Sequence, residues 1–129
     1  MGANGGLDLK LDTKIPIILV VEDEVLVRMM IADHLRTAGY TVLEASNAHE
    51  ARDVLRHTSD IRLIVSDLRM PGAMDGVALA RLVRAEYPSV KIVLTSGHVH
   101  ALDWTEHDGF FAKPYDPKII ISHIKTLLE

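Results

Sequence analysis

Acidic, hydroxyl and amine side chains follow four apolar runs in this chain of 129 residues. The runs cover residues 15–21, 61–66, 90–94 and 110–112, and the polar residues after them are Glu22 and Asp23, Asp67, Thr95 and Ser96, and Lys113. Together these side chains offer three carboxylates, two hydroxyls and one ammonium. Such a set suits a divalent cation and a phosphoryl group better than it suits a protein core.

The apolar runs must become the strands that position these side chains. Residues 15–21 are continuously apolar and rich in β-branched types, which is typical of a central strand covered on both faces. The carboxyl ends of parallel strands meet at one edge of a sheet, and ligands bind at that edge. Parallel pairing would therefore bring Asp67 close to the other polar residues, although they are far apart in sequence.

Strand and helix patterns alternate along the whole chain. Strands are predicted at residues 15–21, 40–45, 61–65, 90–94 and 110–112, with helices at about 24–38, 46–57, 75–87 and 116–128 and a weaker helix at 98–104. Predicted helix ends include a cap at Ser46 or Asn47, a cap at Asp75 and a stop at Gly39. Connections of this length indicate a parallel sheet with helices on both faces, right-handed crossovers and strand order 2-1-3-4-5.

Helical spacing also predicts which side chains face the core. The expected inner faces of the first and last helices consist of Val27, Met30, Ile31, His34, Leu35 and Ala38, and of Ile119, Ile120, Ile124, Leu127 and Leu128.

Composition narrows the function classes. Hydrophobic residues make up 48% and charged residues 25% of the chain, as in average soluble domains. The net charge of −4 gives no electrostatic footprint for nucleic acid, and the sequence contains no cysteine. No apolar stretch is long enough for a bilayer, and no signal peptide is present, so we expect a cytoplasmic protein. A flexible tail at residues 1–14 and one folded domain at 15–129 are expected.

The chain closely resembles the receiver domain of bacterial response regulators, in two-component signal transduction. The resemblance covers about residues 16–128. It rests on motifs that occur in order at the strand ends: Glu22-Asp23, Ser66-Asp67-Leu68-Arg69-Met70-Pro71, Asp75-Gly76, Thr95-Ser96-Gly97 and Lys113-Pro114. It implies an α/β fold of the flavodoxin-like (CheY-like) type, with a doubly wound five-stranded parallel sheet.

The resemblance also implies a role for each residue of the site. Asp67 is the expected phosphoacceptor, and Mg²⁺ or Mn²⁺ is expected on Glu22, Asp23, Asp67 and the backbone carbonyl of Arg69. Lys113 and Thr95 are expected to stabilise the phosphoryl group. Thr95 and Phe110 would form a conformational switch, and Pro114 corresponds to the cis proline of the family.

Partners are implied in the same way. A sensor histidine kinase or histidine phosphotransfer protein would supply the phosphoryl group, and an unknown downstream protein would receive the output. We predict no output domain, no conventional enzymatic turnover, and a capacity to form a homodimer on phosphorylation. Leu26 and Met29 on the first helix, and Trp104, are candidate partner contacts.

Three other classes compete with this interpretation. A haloacid-dehalogenase-like phosphatase also uses an aspartate with Mg²⁺, but it requires a second acid where this chain has Arg69. A flavodoxin-like cofactor carrier would place phosphate in a first loop that here is acidic. A receiver that acts only as a phosphorylation-independent interaction module would not need the complete set of acids, hydroxyl and lysine.

Overall fold

A computed structural model of the protein describes residues 15–70, 72, 74–97 and 106–129. Within these residues the chain forms five strands and four helices. In chain order they are β1 (Ile17–Val21), α1 (Val25–Thr37), β2 (Thr41–Ala45), α2 (Ala48–His57), β3 (Ile61–Asp67), α3 (Gly76–Glu86), β4 (Lys91–Ser96), β5 (Gly109–Ala112) and α4 (Pro117–Leu128). The predicted tail at residues 1–14 and the predicted helix at 98–104, with Trp104, lie outside the described residues.

The five strands form one parallel sheet in the order β2-β1-β3-β4-β5. This confirms the predicted topology. The order reverses between β1 and β3, which is the point where open α/β sheets bind ligands. The residues after β1 and at the end of β3 are therefore the natural starting point for a site.

Two apolar cores lie on opposite faces of the sheet because successive strand side chains point in opposite directions. In β1, Leu19 and Val21 pack with α2 and α3, whereas Ile18 and Val20 pack with α1 and α4. Helices thus cover both faces, as expected. Asp67 and Thr95 alternate in step with Val65 and Val93, so they belong to the face that carries α1 and α4.

Side-chain caps fix the starts of three helices. Asn47 accepts a hydrogen bond from the Glu50 amide, Asp75 from Ala78 and Asp116 from Lys118. For α1, by contrast, the capping residue Glu24 makes no side-chain cap hydrogen bond. Gly39 follows the end of α1 at φ 106°, a left-handed conformation that favours glycine.

Strand boundaries and two helix faces differ from the predictions. The strands β3 and β4 include their polar ends, because Asp67 and Thr95 still pair with each other across the ladder. His34 is exposed, with its Nδ1 hydrogen-bonded to the Met30 carbonyl, and the smaller Ala32 is buried in its place. Ile119 was expected inside but is 59% exposed, because Ile120 and Ile124 define the buried stripe of α4.

Candidate functional site

Backbone pairing at the carboxyl edge of the sheet brings the predicted site residues together. Asp67 and Thr95 are register partners in β3 and β4, and the Leu68 amide donates to the Thr95 carbonyl at 2.9 Å. The Lys113 amide donates to the Ser96 carbonyl at 2.8 Å, which places Lys113 directly after the end of β5. On the other side, the Glu22 amide extends the pairing of β1 with β2 through the Ala45 carbonyl.

The three predicted carboxylates form one cluster. Glu22, Asp23 and Asp67 each offer an oxygen within 4.8 Å of the others, and Glu22 and Asp67 are buried. The Lys113 ammonium lies 2.6 Å from Glu22 Oε1 and 3.4 Å from Asp67 Oδ2. Glu24, which the sequence analysis did not single out, adds a fourth carboxylate 3.8 Å from the same nitrogen.

Burial and charge shift the protonation of this cluster. Burial raises the pKa of Asp67, against the opposing effects of the Lys113 charge and a hydrogen bond from the Arg69 amide. Burial likewise raises the pKa of Glu22, although Lys113 donates to it. For Lys113, burial by itself lowers the pKa, but the hydrogen bond to Glu22 and the nearby carboxylates outweigh it and leave the pKa raised. The cluster thus sets three carboxylates against the Lys113 ammonium, and burial makes the ionisation of Glu22 and Asp67 costly.

This surplus of negative charge is what a hard divalent cation compensates. The donors are carboxylate oxygens at the carboxyl edge of the sheet, and Mg²⁺ binds such oxygens while it keeps several waters. The residues present fit such an ion. The cluster was predicted from the sequence with the same three acids.

The backbone around Asp67 is held closely. Its carbonyl accepts a hydrogen bond from Ser66 Oγ at 3.0 Å, and the Gly76 amide donates to the Leu68 carbonyl at 3.0 Å. A Cβ atom added at Gly76 would lie 1.9 Å from the Asp67 carbonyl oxygen and 2.7 Å from the Leu68 Cα. Only glycine allows α3 to begin this close to the end of β3. In the sequence Gly76 is part of the Asp75-Gly76 motif, but nothing there indicates its close approach to the end of β3.

Of two other predicted residues, Phe110 lies apart from the acid cluster, whereas the Arg69 backbone reaches it. Phe110 is the register partner of Leu94, and its half-buried ring packs against the core on the side of α2 and α3. Thr95 pairs instead with Phe111, so Phe110 does not lie directly opposite Thr95 in the ladder. Arg69 is exposed, and its amide contacts Asp67 as described above.

A cleft beside Lys113 was not anticipated. It has a volume of about 270 Å³ and is lined by Val27 and Met30 of α1 together with Lys113, Pro114 and Tyr115. The Lys113–Pro114 peptide bond is cis. Burial, followed by the charge of Glu22, raises the pKa of Tyr115 to about 12, so its hydroxyl stays neutral at physiological pH.

The surface of α1 next to this cleft is apolar. Leu26 is 80% exposed, and Val25 and Met29 are also exposed. The sequence also indicates such a surface, because the first helix carries more apolar residues than one buried stripe needs. Leu26 and Met29 are therefore accessible to a partner, whereas Trp104 lies outside the described residues.

The fold and the site together define a class of protein: a doubly wound α/β domain with a carboxylate cluster and a lysine at its carboxyl edge. Residues 18–125 match the response regulator receiver domain family. The chain belongs to this family, whose members are phosphorylatable domains of two-component systems.

Individual relatives agree with this assignment. The chain is 35% identical to the sensor kinase CckA of Brucella abortus over 118 residues, which are 87% of this chain and 12% of the relative. It is 31% identical to the transcriptional regulatory protein BaeR of Escherichia coli over 127 residues, 95% of this chain and 52% of the relative. The chain thus spans about half of BaeR, and much less of CckA.

A solved structure shows the same fold. The response regulator TrrA of Thermotoga maritima, determined in complex with Mg²⁺ and BeF, superposes with a TM-score of 0.80 at 27% identity. The match covers 88% of this chain and 99% of the other. The flavodoxin-like (CheY-like) fold predicted from the sequence is confirmed.

Proposed function

We propose that this chain accepts a phosphoryl group on Asp67 from a phosphohistidine of a sensor histidine kinase or histidine phosphotransfer protein. Phosphorylation then changes binding to a downstream protein, or the group is passed on in a relay. The observation that carries the proposal is the position of the Asp67 carboxylate, at the carboxyl edge of the sheet and within 3.4 Å of the Lys113 ammonium in the acid cluster.

The chemistry assigned to each residue follows from its position. An Asp67 oxygen attacks phosphorus, so that a P–O bond forms as the P–N bond to the donor imidazole breaks and the imidazole leaves. Lys113 offers positive charge to the phosphoryl oxygens, and Thr95, beside Asp67 in the ladder, offers a hydroxyl donor. Attack by water then returns the carboxylate and inorganic phosphate, so the chain is not a conventional turnover enzyme.

Mg²⁺ is the proposed cofactor, and Mn²⁺ suits the same oxygen donors. Asp23, Asp67 and the Arg69 carbonyl would hold the ion, with Glu22 acting through a water. When bound, the ion removes the repulsion between the carboxylates and the incoming phosphoryl group. The Mg²⁺ in the TrrA complex supports this assignment.

The proposed output is a shift between two packings. Movement of Thr95 toward a phosphoryl group on Asp67 would open space at the end of β4, and Phe110 would turn from the side of α2 and α3 to fill it. Such couplings are worth about 1–3 kcal/mol. A homodimer formed on phosphorylation is compatible with this scheme.

The proposed partner surface is the apolar part of α1 beside the site. Leu26 and Met29 are exposed there, and the cleft lined by Val27 and Tyr115 lies next to Lys113. None of the helices in the described part of the chain could cross a bilayer. This finding and the net charge of −4 support a cytoplasmic protein that binds other proteins rather than nucleic acid.

The test is the substitution Asp67→Asn. It removes the nucleophilic oxygen but keeps the side-chain shape, so we expect loss of labelling from a phosphorylated histidine kinase and from acetyl phosphate, with circular dichroism unchanged. Asp116→Asn, at the start of α4, is the matched control and should be labelled as the wild type is. Labelling of Asp67→Asn at the wild-type level would refute the assignment.

A further inference from the structure

The guanidinium of Arg28 joins the acid cluster to the β2 strand. From the second turn of α1, its Nη1 donates to the Glu22 carbonyl at 2.9 Å, and its Nε donates to Glu44 Oε1 at 3.2 Å. The Arg28 side chain is only 18% exposed. A planar fork of this kind can hold two acceptors at once in a fixed geometry.

Contacts of Glu22 define the turn that Arg28 reaches: the Glu22 amide donates to the Ala45 carbonyl, and Glu22 Oε1 accepts from Lys113. β1 ends at Val21, so the Glu22 carbonyl lies one residue beyond the last register pair of β1 and β3. Glu24 begins α1 without a side-chain cap, unlike the capping residues of the other described helices. The Glu24 amide donates to Glu22 Oε2 at 3.1 Å, so the turn depends on the same carboxylate that the cation needs.

Charge balance fits a positioning role. A free guanidinium next to the cluster would repel a bound cation. Glu44 pairs with Arg28 and offsets part of its charge, although the same carboxylate also pairs with Arg36. Arg28 can therefore fix the backbone of Glu22 with weakened repulsion of the cation.

We propose that Arg28 is a positioning residue for the cation site: it orients Glu22 and Asp23 through the Glu22 carbonyl, with Glu44 holding the guanidinium in place. This inference rests on the proposed function of the cluster as a Mg²⁺ site. Arg28 itself contacts neither the cation nor the phosphoryl group in this scheme.

Arg36 provides a matched control on the same helix. Its Nη2 donates to Glu44 Oε2 at 3.1 Å and to a backbone carbonyl at 3.0 Å, but that carbonyl belongs to Val42, outside the site. Arg28 and Arg36 thus make the same kinds of contact, and only the first reaches the acid cluster.

The experiment is calorimetric titration of the full chain with Mg²⁺, with the thermal midpoint measured separately in EDTA. Arg28→Met should weaken Mg²⁺ binding about tenfold, as loss of groups that orient metal ligands does. Arg36→Met should change it less than about twofold, although both variants lose an ion pair to Glu44. Asp23→Ala, which removes a proposed ligand, gives the reference for a larger loss.

Arg28→Lys separates position from charge. Lysine keeps the positive charge but cannot hold both acceptors in the same fork, so we expect weakened Mg²⁺ binding in this variant too. If Arg28→Met fails to fold, the test becomes the comparison of Arg28→Lys with Arg36→Lys. Wild-type affinity in Arg28→Met or Arg28→Lys, or equal losses at positions 28 and 36, would overturn the inference. Absence of Mg²⁺ binding by the wild type would instead refute the proposed function.

Discussion

Asp67 is held by two opposing effects at the scale of single residues. Burial, with a smaller effect of the Asp23 charge, favours its protonated form, whereas Lys113 and the Arg69 amide favour its ionised form. The first effect is larger, so the pKa of Asp67 is raised, as is that of Glu22. Ionisation of these two carboxyls therefore costs free energy in the folded state until a cation binds or a phosphoryl group is transferred. This cost can be measured through the pH dependence of stability.

Stability without cation should fall as pH rises. A carboxyl whose pKa is higher in the folded than in the unfolded state stabilises the fold at low pH, and this contribution is lost as pH rises through the folded pKa. The pH range in which stability falls begins above the ordinary pKa values, which are 3.8 for Asp67 and 4.5 for Glu22. In EDTA, the free energy of unfolding should fall more steeply with rising pH, from about pH 4 upward, for the wild type than for Asp67→Asn.

Urea unfolding at several pH values measures this difference, and titrating groups that do not interact with Asp67 cancel in the comparison. The difference therefore reports Asp67 together with its effect on Glu22 and Lys113. Saturating Mg²⁺ should remove most of the fall, because the ion neutralises the ionised carboxylates. Equal pH dependence of stability in the wild type and in Asp67→Asn would show that the pKa of Asp67 is not raised in the folded state.

Gly76 should be intolerant of a side chain. In Gly76→Ala the new Cβ would overlap the Asp67 carbonyl oxygen, so the backbone of β3 or α3 must shift. We expect a loss of about 1–3 kcal/mol in the free energy of unfolding, together with slower phosphorylation. Gly97→Ala is the control, since a Cβ there meets no atom of the described residues within 4 Å. Similar losses in both variants would show that the close approach at Gly76 is unimportant.

At the scale of elements, the start of β5 is tied to three other elements through Asp108. Its Oδ2 accepts from Arg84 Nη2 of α3 at 3.0 Å and from the Ile92 amide of β4 at 2.8 Å. Its carbonyl is hydrogen-bonded to His123 Nε2 of α4 at 2.6 Å. β5 carries Lys113 at its other end, so this anchor fixes the strand that delivers the ammonium to the site.

Asp108→Ala should therefore destabilise the fold by about 2 kcal/mol, because it removes the side-chain acceptor of the Ile92 amide and the ion pair of Arg84, which keeps the Glu106 carbonyl as an acceptor. Asp33→Ala is the control: Asp33 faces Arg36 at 3.8 Å with its side chain 72% exposed, and its loss should cost less than about 1 kcal/mol. Chemical unfolding of both variants tests this. A loss at Asp108 no larger than that at Asp33 would mean that the anchor adds nothing.

Elements also show what the sequence could and could not predict. Asp67, Thr95 and Lys113 were predicted at one edge because parallel strands align their carboxyl ends, whatever the details of packing. The cap at Ser46 or Asn47 and the cap at Asp75 were predicted from neighbouring residues alone, and the first lies at Asn47. By contrast, whether His34 or Ala32 is buried depends on which flank of α1 meets the sheet. The roles of Arg28 and Gly76 depend on distances to backbone atoms of distant segments, and no periodicity encodes those distances.

At the scale of the whole molecule, the hydrophobic cores and the acid cluster occupy different parts of the sheet. Both cores are built from side chains in the strand interiors, and the acids lie where the strands end. The site is thus bordered by α1 on one side and by the connection after β5 on the other. A partner that reaches Asp67 from the side of α1 must cover the apolar residues exposed there.

Leu26→Glu should therefore impair phosphotransfer from a protein donor but not from a small one. Leu26 is 80% exposed and lies on α1, whose Val27 and Met30 line the cleft beside Lys113. Transfer from a phosphorylated histidine kinase that labels the wild type should slow about tenfold or more, as expected when a central apolar contact is lost. Labelling by acetyl phosphate should stay unchanged, because that donor needs no surface beyond the site. Ile119→Glu, at an apolar residue 59% exposed on α4, is the matched control and should leave both rates unchanged. If Leu26→Glu slows both donors equally, its effect lies in the site itself, and if it slows neither, the partner docks elsewhere.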